Sequence, residues 1–432
     1  MNNSSNVQII SKELIKPSSP APDHLKTLKL SLLDQLSPPV YISLIFFYEA
    51  DELKCTTGHT QISQHLKQSL SKTLTLFYPL AGKIDTVNFT VDCDDNGVEF
   101  IEARAHSRLR DVTKDLQLDQ LRQYLPVDPL GGIYVSEGTP FMVQVNFFDC
   151  GGIAVAACVS HLIADGWSLV EFMNAWAATC RGEKSKFTPE FGVLARYLPA
   201  RDLSGSNISP TLLMGNEKLV TKRFVFDKEK LEALKEAATH EVPGADIVKN
   251  PTRVEVVSAF IWKHFKESKA KKNITAAHIV NIRSRASPSL QLENALGKAY
   301  FVTTASNEGS VSIPQLMSKL RRAIRTIDDE YIRETHSEYR YLSDISKYVD
   351  VLLDGEELIL FSSWCRFPMY EVDFGWGVPS RVCTTALLLN NCVILMSTRS
   401  GDGIEAWINL LPDDIESFEN KFKAIGKTSF LE

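Results

Sequence analysis

Between Gly151 and Cys180 the hydrophobic pattern changes period, and that change dictates a strand-to-helix unit. Ile153 to Val159 reads Ile-Ala-Val-Ala-Ala-Cys-Val behind Gly151 and Gly152, a short continuous apolar run expected of a strand buried on both faces. After Gly166, Leu169, Phe172, Met173, Trp176, Ala177 and Cys180 recur at helical intervals, and Ser168 with Glu171 has the capping-box pattern. The spacing predicts a helix starting near Ser168. His161, in the run Val-Ser-His-Leu-Ile-Ala-Asp-Gly, therefore stands just past the carboxyl end of a strand, where open α/β sheets present side chains to ligands.

Imidazole titrates near pH ~6.5 when unperturbed, so one ring nitrogen is free near neutrality to take a proton from a hydroxyl or an amine. His161 is the candidate general base. Asp165, four residues on, could orient the ring, or bond backbone amides and pair with a distant arginine, which is the structural role. The structural role carries more weight. The competing reading of His161 itself is a packed histidine at a strand end, and its position before a helix, with a second motif downstream, weighs against it.

A chain of 432 residues with 44% hydrophobic composition is too long for one core, so two domains of about two hundred residues each are expected, with a cleft between them. A net charge of −6 and a pI near 5.9 leave no basic stripe for nucleic acid. The one lysine-rich stretch, Lys263 to Lys272, reads as the solvated end of a surface helix that could attract an anion. The first residues lack the apolar centre of a signal peptide, and no run approaches ~18 apolar residues, so a cytoplasmic protein that does not span a membrane is expected. Eight cysteines without Cys-x-x-Cys spacing suit reduced core thiols, and the Asn-x-Thr triplets at Asn88 and Asn273 would then be idle.

Strand and helix patterns alternate in both halves, which implies a mixed α/β architecture. Ile62, Leu66, Leu70 and Leu74 form one helix face, broken by Pro79 and Gly82 in Tyr78 to Lys83. In the second half, Arg253 to Phe265 reads as a helix and Ala277 to Ile282 as a strand. From Thr179 to Lys222 regular periodicity fades while Gly, Pro, Ser and Asn gather. The expected division is thus 1–180, a crossover linker over 181–221, and 222–432; a segment around 365–390 is separately expected to pack on the amino-terminal sheet.

The second motif, Asp373-Phe374-Gly375-Trp376-Gly377, follows the strand-like Met369 to Val372, and its glycines allow positive φ and close approach. It reads as a tight loop with a functional placement or as a packed corner. No Gly-x-Ser-x-Gly occurs, which disfavours a serine hydrolase. His161, Asp165 and Glu171 match no usual metal-ligand spacing, so no metal is expected.

His161 to Asp165 as His-x-x-x-Asp with Gly166, and Asp373 to Gly377, resemble in this order and separation the BAHD acyltransferases of plants, which transfer acyl groups from coenzyme A thioesters. The resemblance spans the chain, through Leu30 to Gln35, Tyr78 to Lys83, Lys222 to Asp227 and Asn281 to Arg285. Ser362 to Arg366 and Thr398 to Gly403 resemble the alkaloid acetyltransferase branch of that family. It implies two similar chloramphenicol-acetyltransferase-like domains, each a mixed sheet with flanking helices, a channel at their interface, and a monomer.

The resemblance also implies the site. His161 would deprotonate the hydroxyl of a small-molecule alcohol as it attacks the thioester of acetyl-CoA, with no acyl-enzyme. Asp165 would shape the turn, and Asp373 would pair with Arg283 or Arg285, making Asp373, Gly375 and Gly377 structural. Trp376, Thr384 and Thr385 are candidate oxyanion donors. Thr252, Arg253 and Ser258 at a helix start are candidates for coenzyme A phosphates, against the reading that Thr252 only caps the helix. An amine acceptor and a degenerate ligand-binding homologue are the alternatives. Three departures stand out: Lys83 where relatives commonly have arginine, Gly297-Lys298 where many have Gly-Asn, and Leu162 where the alkaloid enzymes have lysine.

Overall fold

The computed structural model describes residues 6–53, 58–114, 116–128, 139–204, 208–209, 211, 214, 219–239, 248–265, 274–307, 312–338, 340–353, 357–385 and 387–427. The chain forms two compact units: Met1–Asp202 with Gln291–Ala299 and Phe367–Leu388, and Leu203–Leu290 with Tyr300–Arg366 and Leu389–Glu432. The architecture is mixed α/β, one six-stranded sheet to each unit.

The first unit's sheet contains β1 (Val7–Ile15), β2 (Tyr41–Tyr48), β3 (Val98–Ala105), β4 (Phe141–Phe148), β5 (Ile153–Ser160) and β6 (Arg381–Cys383), in the order β1-β3-β4-β5-β2-β6. Only β3 and β4 pair in parallel; the other neighbours are antiparallel. Every residue of β4 and β5 is buried, as the unbroken apolar run predicts for a strand covered on both faces. The register of β5 on β2 runs from Ile153 opposite Tyr48 to Ser160 opposite Tyr41. That fixes which end of the sheet carries His161.

Three helices of this unit matter for the site: α1 (Leu32–Gln35), α2 (His59–Leu76) and α3 (Gly166–Cys180). The face of α2 formed by Ile62, Leu66, Leu70 and Leu74 is buried, and the indole of Trp176 on α3 donates to the Leu66 carbonyl and to Ser69 Oγ of α2. Buried on both sides, α3 is a fixed strut. Residues 181–202, read from sequence as the start of a linker, instead pack into this unit, burying Phe187, Val193, Leu194, Tyr197 and Leu198. The polar residues that suggested a loop alternate with these apolar anchors. Much of the remainder of the expected linker, like Cys55, Asn273 and the lysine-rich stretch beyond 265, lies outside the described residues.

In the second unit the strands run in the order Tyr300–Ala305, Ile274–Asn281, Glu357–Ser363, Cys392–Ser397, Ile404–Leu410, Val220–Phe226. Helices α4 (Arg253–His264) and α5 (Ile313–Arg325) both begin with a complete capping box, Thr252 with Glu255 and Ser312 with Gln315. Phe226, Phe260, Ile359, Val393 and Ile408 are fully buried in the core beside them. Among the described residues, no helix is long and apolar enough to cross a membrane.

Candidate active site

His161 follows the last residue of β5, and its amide donates to the Val40 carbonyl at 2.8 Å, which carries the sheet ladder one step past the strand and holds the residue at the edge. The residue is half-buried. Nδ1 lies 2.9 Å from the Ala164 carbonyl. A carbonyl only accepts, so Nδ1 carries the proton and Nε2 the lone pair. The ring is therefore oriented by a backbone oxygen three residues away, while the Asp165 carboxylate accepts from backbone amides.

Burial first, and the Lys298 ammonium second, push the His161 imidazole well below its ordinary value, against the opposing pull of Ala164 and Asp165. The ring is neutral at physiological pH.

Asp165 has extended backbone and is the N-cap of α3, its Oδ1 accepting from the Ser168 amide at 2.8 Å. The helix thus starts three residues before the expected cap at Ser168, with the Asp165 carboxylate satisfying an orphan amide of its first turn. Oδ2 of Asp165 accepts from the Ala299 amide at 3.3 Å. Ser168, freed from capping, bonds through Oγ to both the amide (3.2 Å) and the carbonyl (3.1 Å) of Gly297. Gly297 has φ +133°, and a Cβ there would come within 2.8 Å of Leu194 Cδ1. The turn of His161 and the segment 297–299 are therefore locked together.

A second carboxylate joins them. In the run Leu30 to Gln35, Ser31 and Asp34 form a reciprocal cap, and Asp34 Oδ1 accepts from the Lys298 amide at 3.2 Å. Gln35 exchanges hydrogen bonds with the backbone of Arg201.

The Asp373 motif lies at the other end of α3. Oδ1 of Asp373 accepts from the amides of Gly375 at 2.8 Å and Gly377 at 2.9 Å, and both glycines have positive φ, at +103° and +114°. Arg181, the C-cap of α3, donates to the Asp373 carbonyl. Phe374 and Trp376 stack and meet Tyr48 and Trp176 edge to face. Residues 369–371, read from sequence as strand, form a 3₁₀ turn after Pro368 instead. A helix of 15 residues spans about 22 Å, so the two motifs are separated by that distance.

A model described as the transferase family matches residues 5–425. The chain is a BAHD acyltransferase. Stemmadenine O-acetyltransferase of Catharanthus roseus is 41% identical over 98% of this chain and 99% of its own length, and vinorine synthase of Rauvolfia serpentina is 42% identical over 94% of each. The crystal structure of vinorine synthase superposes with a TM-score of 0.84 at 39% identity, covering 99% of this chain and 100% of that one. The crystal structure of F. sporotrichioides TRI101 complexed with coenzyme A and T-2 shares the fold at 17% identity, with a TM-score of 0.68 over 94% of this chain and 98% of that one.

Within this acyltransferase the remaining candidates fall in different places. Trp376 packs on Tyr48, which pairs with Ile153 at the start of β5, whereas His161 follows its end. An eight-residue strand covers about 25 Å, so the indole is too far from the imidazole to donate to an oxyanion formed there. Sequence adjacency of Gly-Trp-Gly to a family motif could not reveal that distance. Thr384 and Thr385 are both buried, and the chain reaches them from β6 running toward the Tyr41 end of β2, the end that carries His161.

In the second unit, Thr252 Oγ1 accepts from the Glu255 amide and donates to its carboxylate, so Thr252 caps α4. Arg253 donates to the Gly401 carbonyl, and Ser258 is fully buried with no hydrogen-bond partner for its hydroxyl among the described residues. Arg285 donates to the carbonyls of Ile324 and Ile327, and the buried Arg283 bonds its amide to Asn281.

Reading the sequence missed Arg181 and the Asp34 to Lys298 contact. A lysine in place of the usual asparagine was the signal for the latter. Lys83, another of the three departures, is exposed at a strand start, where either long cation serves.

Proposed function

We propose that this acyltransferase moves an acetyl group from acetyl-CoA to a hydroxyl of a plant specialised metabolite of the alkaloid class, as a cytoplasmic monomer. The acetyl and alkaloid assignments rest on the relatives named stemmadenine O-acetyltransferase and vinorine synthase. The chemistry rests on one observation: Nδ1 of His161 is spent on the Ala164 carbonyl, which leaves Nε2 as the proton acceptor.

Nε2 removes the acceptor's hydroxyl proton as the oxygen attacks the thioester carbonyl. The tetrahedral intermediate then expels the coenzyme A thiolate, which takes the same proton from the imidazolium. Atoms and charge balance without an acyl-enzyme, a metal or a bound prosthetic group. The oxyanion would draw on Thr384 or Thr385, and the coenzyme A phosphates on the α4 start at Thr252 and Arg253 and on Ser258. Asp165 shapes the turn, and Asp373, assigned from the family to Arg283 or Arg285, closes its own loop.

Incubation with acetyl-CoA and a panel of alcohols and amines, read by mass spectrometry, tests this reading. An O-acetylated product lost in His161→Ala is expected. Acetylation confined to amines, or none with any acyl-CoA, would overturn it.

A further inference from the structure

Lys298 is a buried lysine, 4% exposed, in the wall of the His161 turn. Three consecutive residues are pinned there: Gly297 to Ser168 by both backbone groups, Lys298 to Asp34 and Ala299 to Asp165 by their amides. The pinning fixes the lysine backbone inside the buried wall. Carboxylates hold this segment from two elements, Asp34 from α1 and Asp165 from the start of α3, beside the turn between β5 and α3 that carries His161; all three groups couple electrostatically to the lysine. An asparagine at this position would carry no charge.

We propose that Lys298 is a positioning residue for acyl transfer, its ammonium buried in one cluster with Asp34, Asp165 and His161 and acting through the imidazole to keep Nε2 unprotonated. A like charge held in a low-dielectric site opposes a second positive charge on the ring. Burial draws the ammonium down to about 7 even with the Asp34 and Asp165 carboxylates opposing it. Below that pH, where protonation threatens the base, Lys298 is charged. The turn thus carries its own guard against acid, built from the residue that departs from the family pattern.

The inference rests on His161 being the base, so the test separates the two. The His161 ring is titrated by NMR on protein labelled with carbon-13 histidine, its signal assigned by its loss in His161→Ala, in wild type, Lys298→Asn and Lys298→Arg. The acid limb of kcat/KM is recorded alongside with acetyl-CoA and an alcohol acceptor. In Lys298→Asn the ring midpoint and the acid limb both move up by about one pH unit. In Lys298→Arg, which keeps the charge, both stay near wild type. A ring midpoint that does not rise in Lys298→Asn overturns the role of Lys298 alone. A midpoint that rises while the acid limb stays put overturns His161 as base, and the role of Lys298 with it. Lys298→Gln, measured in the same way, replaces the asparagine variant if that one fails to fold.

Discussion

The two ends of α3 differ in what their carboxylates leave available. At the amino end, Asp165 accepts from the amides of Ser168 and Ala299, and the neighbouring imidazole carries its lone pair on Nε2. At the carboxyl end, Asp373 is consumed by the amides of Gly375 and Gly377, and its neighbours are aromatic rings and the Arg181 guanidinium. Both motifs fold a loop with an aspartate; beside the first stands an imidazole, beside the second aromatic rings and a guanidinium. The family signature therefore joins a corner that carries an imidazole to one that carries aromatic rings, about 22 Å apart along one buried helix.

The largest effect expected is at the first corner. His161→Ala removes general base catalysis and lowers kcat by roughly 10²- to 10⁴-fold with an unchanged melting temperature. The opposite split is expected at the second. Asp373→Ala strips charged acceptors from two loop amides and costs roughly 2 to 3 kcal/mol of stability in urea titration, while turnover per folded molecule persists. A variant of Asp373 that melts normally but is inactive would break the contrast.

Asp165→Ala sharpens it. Losing the cap costs about 1 kcal/mol, and loosening the turn that aims the ring lowers kcat by roughly 10-fold, less than the loss of His161 itself. An equal loss would make Asp165 a chemical partner of the ring.

The first corner was largely legible in the chain. A fully buried strand, a helical period and a histidine between them are local signals, and structure and sequence agree on them. The helix start was not: both Ser168 and Asp165 are good caps, and the choice depends on which residue takes extended backbone, which in turn depends on Ala299, 134 positions away. The second corner misled for a related reason. Met369 to Val372 has the composition of a strand, yet Pro368 and the bond from the Asn174 side chain to the Pro368 carbonyl turn it into a 3₁₀ element. Trp376 lies between two glycines beside a signature aspartate, and only the register of β2 on β5 shows how far it is from the base.

A second depressed histidine offers the smallest test. His278 lies in the middle of a strand, buried and stacked on Phe361, and burial lowers it to about 4. Below pH ~6.5 the unfolded chain takes up a proton that the folded chain refuses, so this group's contribution to stability is lost as pH falls from 6.5 toward 4. His278→Phe therefore narrows the stability loss between pH 7 and pH 5.5 by about 1 kcal/mol in urea titrations, without changing turnover at pH 7. If turnover fell instead, depressed histidines would matter here for more than their position.

The central claim is the proton placement on one ring, and nitrogen-15 NMR of the His161 imidazole at pH 7 reads it directly. The account predicts a neutral ring with the proton on Nδ1 and an unprotonated Nε2. A proton on Nε2, or on both nitrogens, would contradict it.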